Sequence, residues 1–199
     1  MSRGSTVFGV GINDAEYVIN QRLGDKRKIC PFYITWYGMF RRCYDPKHLA
    51  LSPTYLGCTV DVEWHQFSTF RAWMEKQEWE GKQLDKDLLI VGNKVYSPNT
   101  CVFVSCIINS FITEAGAIRG DWPIGVSFHK RDNVFHANCK NPFTKKKEYL
   151  GTFDCPNEAH KAWLKRKQEL AILLAAEQTD ERVAKAIIDR YMTYGGTND

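Results

Sequence analysis

GVSFHKRDNVFHANCKNPFTKKKEYLGTFDCPNEAHKAW, residues 125–163, changes its period partway along, and that change decides the fold of the C-terminal half. Val126 and Phe128 alternate with their neighbours, as do Val134, His136 and Asn138 beyond the polar stretch Lys130-Arg131-Asp132-Asn133. The alternation predicts a β-hairpin. After the break at Asn141-Pro142, KKKEYLGTFD (145–154) supplies a third strand. From Pro156 the pattern turns helical. Proline suits a first helical turn, Glu158 follows near the start, and Ala159, Trp163, Leu164 and Leu170 offer a face to lay on the sheet. A last short helix, about 180–191, is expected to stop at Gly195-Gly196.

Charge singles out the same segment. The whole chain carries a net +4, whereas residues 121–167 hold ten basic residues against five acids, so everything else sums to −1. A basic excess confined to one segment points to a polyanionic partner. Seven cysteines without a CxxC pair read as free thiols of a reducing compartment. No apolar run approaches the ~20 residues of a membrane span, and the N-terminus lacks the apolar centre of a secretory signal. The location expected is cytoplasmic, with no membrane partner.

Upstream, residues 1–29 are polar and Gly-rich and read as an N-terminal arm with a short strand near Val7–Val10. Residues 30–115 form an aromatic domain. YITWYGMFRRCYD (33–45) repeats apolar residues at helical spacing, including Trp36, Met39 and Cys43. VEWHQFSTFRAWMEKQ (62–77) does the same, and Pro46 and Pro53 enclose a loop between the two helices. A break at Gly116…Gly120 precedes the basic module, 120–178, and residues 179–199 complete the chain as a C-terminal helix and tail.

The module resembles the Apetala, or ethylene-response-factor, type of DNA-binding domain. The likeness rests on Gly125-Val126, Ala137, Leu150-Gly151-Thr152-Phe153, Glu158-Ala159 and Ala162. It implies double-stranded DNA as the partner, with the sheet in the major groove and the helix behind it. The residues it assigns to DNA are Lys130, Arg131, His136, Asn138, Lys140, Lys145, Lys146 and Lys147, most of them contacting phosphate.

LDKDLLIVGNKVYSPNTCVFV (84–104) resembles the strand-turn-strand of bacteriophage HNH homing endonucleases, with Asn109 at the final asparagine of that pattern. Lys86 stands where the pattern has its general-base histidine. The resemblance implies an α+β chain: a degenerate ββα-metal hairpin-helix core with flanking helices, followed by the three-stranded sheet and helix. It implies hydrolysis of DNA phosphodiesters with Mg2+ or Mn2+, in an infected bacterial host if the gene is viral. Asp85 and Asp87, with Asn93 or Asn109, would hold the cation. Asp85, Lys86 and His65 are the catalytic candidates. The alternative is a DNA-binding or regulatory protein that kept the fold without the chemistry.

Overall fold

The computed structural model describes residues 6–23, 26–113 and 121–193. The breaks expected at Gly116…Gly120 and Gly195-Gly196 lie outside the described residues. The chain is mixed α+β and divides into two compact units, Met1–Val104 and Ser105–Asp199. Among the described residues no helix is long and apolar enough to cross a membrane.

In the first unit, α1 (Pro31–Tyr44) buries Trp36, Met39, Phe40 and Cys43, which recur at i, i+3, i+4 and i+7. It ends at Asp45, whose extended backbone (ψ 111°) suits the residue before a proline. The loop expected between Pro46 and Pro53 is instead a short helix, α2 (Pro46–Leu51), followed by a 3-10 turn at Pro53–Tyr55. The prolines start these helices rather than break them, because a first-turn residue needs no amide hydrogen. Asp45 also accepts from Lys47 N at 3.1 Å as an N-cap.

The second expected helix is also divided. Val62–Trp64 is a 3-10 turn capped by Asp61, the backbone extends at Gln66, and α3 runs Phe67–Met74. The division comes from the N-terminal segment. Ile12 N donates to His65 O at 2.8 Å, and Asp14 caps the start of α3, accepting from Ser68 N at 2.8 Å and Ser68 Oγ at 2.5 Å.

The segment expected to be an arm therefore folds into the core. It holds β1 (Thr6–Val7) and β2 (Gly11–Ile12), paired antiparallel, then β3 (Asn20–Leu23) and β4 (Lys26–Ile29), also antiparallel. Val7 is buried with Trp36, Phe40, Trp64 and Phe67. Gly11 is required here, because a Cβ at this position would lie 2.9 Å from the Trp36 ring. The Trp36 indole donates to Trp64 O at 2.8 Å, joining α1 to the 3-10 turn.

Residues 84–104 are not a simple hairpin. Strand β6 (Gln83–Asp85) pairs antiparallel with β8 (Val102–Val104). The connection between them detours to place β7 (Val95–Tyr96) parallel to β5 (Thr59–Val60). The helix that follows, α4 (Cys106–Ile112), belongs to the second unit.

In that unit β9 (Val126–His129), β10 (Val134–Lys140) and β11 (Lys147–Phe153) form an antiparallel sheet in the order β11-β10-β9. This is the predicted three-stranded sheet. Phe135, Ala137 and Cys139 are buried on its inner face, and α5 (Pro156–Ala176) packs there through Ala159 and Trp163. Gly125 has φ +84°, and a Cβ on it would sit 2.1 Å from the Trp163 ring, so the sheet reaches α5 this closely only with glycine. Finally, α6 (Glu181–Met192) buries Val183, Ile187 and Tyr191 at four-residue spacing, and Tyr191 Oη donates to Phe111 O at 2.8 Å.

Candidate nucleic-acid interface

Because side chains alternate across a strand, burying Phe135, Ala137 and Cys139 turns His136, Asn138 and Lys140 to the opposite face. Register extends that face sideways. His136 lies opposite Ser127 on β9 and Thr152 on β11, and Asn138 lies opposite Tyr149. A bulge at Ala137/Asn138 shifts the pairing, so Leu150 packs with the core while exposed Tyr149 and Thr152 both stay outward.

The middle of the face is aromatic and rich in hydrogen-bonding groups. His129 and His136 stack with ring centres 5.0 Å apart, and Tyr149 meets His136 edge-on at 5.5 Å. The Tyr149 and Thr152 hydroxyls are hydrogen-bonded to each other.

Cations occupy the two ends. At one, Lys130 and Arg131 are exposed in the β9–β10 turn, where Arg131 donates to Asp132 at 2.8 Å and His129 Nδ1 lies 3.3 Å from the same carboxylate. Arg131 holds the Asp132 carboxyl below the usual carboxylate range, helped by the nearby histidines. At the other end stand exposed Lys140, Lys145, Lys146 and Lys147. Six steps of ~3.4 Å along β10 separate the two groups by about 20 Å, more than the ~12 Å width of a major groove. The cations thus stand in two groups at opposite ends of the outward face.

A polar brace fixes the lysine turn. Asn141, 7% exposed, accepts from Phe143 N at 2.9 Å and Thr144 N at 3.1 Å. Its amide donates to Glu148 at 2.7 Å. Glu148 in turn accepts two bonds from Arg166 of α5, at 2.7 and 3.2 Å. The Arg166 contact, then that of Asn141, holds Glu148 below the usual carboxylate range.

All eight DNA candidates fall on this face or its two turns. Sequence reading missed Ser127, His129, Tyr149 and Thr152. The first two were available from the same alternation that selected His136. Tyr149 was hidden by the bulge.

The nuclease candidates do not assemble in the same way. Asp85 Oδ1 accepts from Asp87 N at 2.9 Å and Leu88 N at 2.7 Å, shaping the turn that ends β6. Its pKa is raised by burial and by the charge of Asp87. Lys86 is 8% exposed and donates to Asp87 Oδ2 at 2.8 Å and to Asn93 O at 3.0 Å. Burial opposes its charge, but the bond to Asp87 and the surrounding negative potential prevail and raise its pKa. A lysine held protonated has no free pair with which to take a proton from water.

The Asn93 amide donates to Lys86 O at 2.6 Å and Val95 O at 2.7 Å, and its oxygen accepts from Val95 N. His65 is held by Val60 O at 3.1 Å, with its ring edge on Phe40. Asn109 sits on α4, in the other unit.

A hard divalent cation needs several oxygens converging on one point. Here a cation at Asp87 would displace the Lys86 ammonium, and Asp85 and Asn93 already serve the backbone. These donors do not fit the metal that the resemblance implies. Among the described residues no group of three His, Cys, Asp or Glu side chains is placed to hold one.

No protein-family model matches the chain, and no solved structure matches it. The chain is similar in part to the ethylene-responsive transcription factor ERF116 of Arabidopsis thaliana, with 40% identity over 55 residues. That likeness covers 28% of this chain and 19% of the relative.

Proposed function

We propose that this chain binds double-stranded DNA by setting the outer face of β9–β11 into the major groove. The observation that carries the reading is the layout of that face, a row of hydrogen-bonding side chains with cations at both ends. Phosphate contacts from Lys130, Arg131, Lys140 and Lys145 to Lys147 position the duplex. Asn138, with two donors and an acceptor, suits an adenine edge, and His136 and Thr152 flank it. The partial likeness to an ethylene-responsive transcription factor supports the same reading.

Selection from a pool of randomised duplexes tests it. The intact protein is expected to enrich a motif. Asn138→Ala is expected to flatten one position of that motif by about 1–3 kcal/mol of discrimination. Enrichment of no motif, or the same motif from the alanine variant, would refute base readout by this face.

In this reading residues 85–93 are a structural knot, with Lys86 as its buried cation. Incubation of duplex DNA with the protein and Mg2+ or Mn2+ is expected to leave the DNA intact. Cleavage abolished by Asp85→Ala would return that segment to catalysis.

A further inference from the structure

His129 stands on the outward face of the sheet, and the DNA reading gives it no part. Its register partner on β10 is Val134, two residues before His136. The two histidines are therefore diagonal neighbours on one face. Their rings stack almost parallel, 16° apart, with centres 5.0 Å apart.

Asp132 faces the pair from the β9–β10 turn. Its Oδ2 lies 3.3 Å from His129 Nδ1 and 3.4 Å from Arg131 Nη2, while Arg131 Nε donates to Oδ1 at 2.8 Å. Arg131 first, and then both histidines, hold this carboxyl below the usual carboxylate range. Lys130 is the other cation of the turn. From β11, Tyr149 meets His136 edge-on, and its hydroxyl is bonded to Thr152. Ser127 lies opposite His136 on β9. His160, the third histidine of this unit, stands on α5 behind the sheet, with Nδ1 2.8 Å from Ile124 O.

Histidine is the side chain that ordinarily changes its charge between pH 5 and 8. Two imidazoles at this separation repel each other when both carry a proton, so the pair takes up a second one against the charge of the first. One carboxylate also cannot neutralise both Arg131 and a protonated His129. A proton on the pair therefore leaves this end of the face one positive charge richer, and a polyanion favours that state.

We infer that His129 and His136 take up one proton between them when the face binds duplex DNA, so that acidification tightens binding. The inference rests on the DNA-binding reading above and adds a regulation to the same site.

Duplex affinity of the full-length protein is measured by fluorescence anisotropy at fixed ionic strength. Linkage to one proton changes affinity by at most about tenfold per pH unit, and the parent is expected to bind about tenfold more tightly at about pH 6 than at about pH 8. His129→Gln and His136→Gln are each expected to keep about threefold or more of that gain, because the remaining imidazole still takes the proton. The double variant is expected to keep less than about twofold. Titration calorimetry at about pH 7, in two buffers of different ionisation enthalpy, counts the protons, and a net uptake of no more than about one per bound protein is expected.

Equal affinity at the two pH values, a double variant that gains as the parent does, or an uptake well above one proton overturns the inference and leaves the DNA reading in place. Loss of the whole gain in either single variant overturns the sharing between the two rings. Absence of duplex binding at every pH refutes the DNA reading itself, and the inference falls with it.

Discussion

Arg131 donates to Asp132 at 2.8 Å, so the guanidinium at the first turn is partly neutralised within its own loop. Releasing it should favour a polyanion. Asp132→Asn is expected to tighten duplex binding by about threefold and to steepen its salt dependence by about one phosphate contact. Fluorescence anisotropy reads both, and weaker binding would show that Asp132 helps to present the turn. At residue 85 the acceptor matters more than the charge, because Oδ1 takes two backbone amides. Asp85→Asn is expected to keep the melting temperature near that of the parent, whereas Asp85→Ala loses about 1–2 kcal/mol. Asp87→Ala strands the buried Lys86 ammonium. The cost is again about 1–2 kcal/mol, below that of a fully buried pair, because Asp87 is 40% exposed. Gly125→Ala is the severe case, about 3 kcal/mol or more in chemical denaturation, because the new methyl meets Trp163 on a strained backbone.

Among the elements, the contact between β11 and α5 carries a pH dependence whose sign follows from Glu148. Arg166 and Asn141 hold this carboxyl below its ordinary range, so the unfolded chain binds more protons than the folded one in acid. The contribution of the brace is present in full above the ordinary glutamate value, about 4.3. It disappears as pH falls through the depressed folded value. The melting-temperature gap between the parent and Glu148→Gln is therefore expected to narrow from about pH 7 to about pH 3; a constant gap would make the interaction independent of charge. The same elements show what sequence can and cannot convey. The alternation of β9 and β10 and the helical stripe of α1 are local signals, and both were legible. The starts of α2 and the Pro53 turn are written as Asp-Pro and Ser-Pro, pairs that in the sequence suggest a loop between two prolines. The cap on α3 comes from Asp14, 54 residues upstream of its partner Ser68, and no local pattern encodes it. The brace from Asn141 through Glu148 to Arg166 likewise spans strand and helix.

For the whole molecule, the outward face of β9–β11 and its flanking cations were largely foreseeable, because strand alternation and charge agree there. At residues 85–93 the sequence suggests a metal site, and the bonds that tie these residues to one another are not legible in it. Asp85, Asp87 and Asn93 have the right chemistry for a cation, and only the fold shows that Lys86 and the backbone occupy them. If the second unit grips a duplex as proposed, its affinity is an ion-exchange equilibrium. Each lysine that meets phosphate then adds roughly one unit to the salt slope. The decisive measurement is anisotropy of a labelled duplex titrated across salt, for the parent and for a variant with Lys140, Lys145, Lys146 and Lys147 all changed to glutamine. The prediction is steep salt dependence in the parent and a slope shallower by about three to four units in the variant. Binding that ignores salt, is absent, or keeps its slope without these lysines would contradict it.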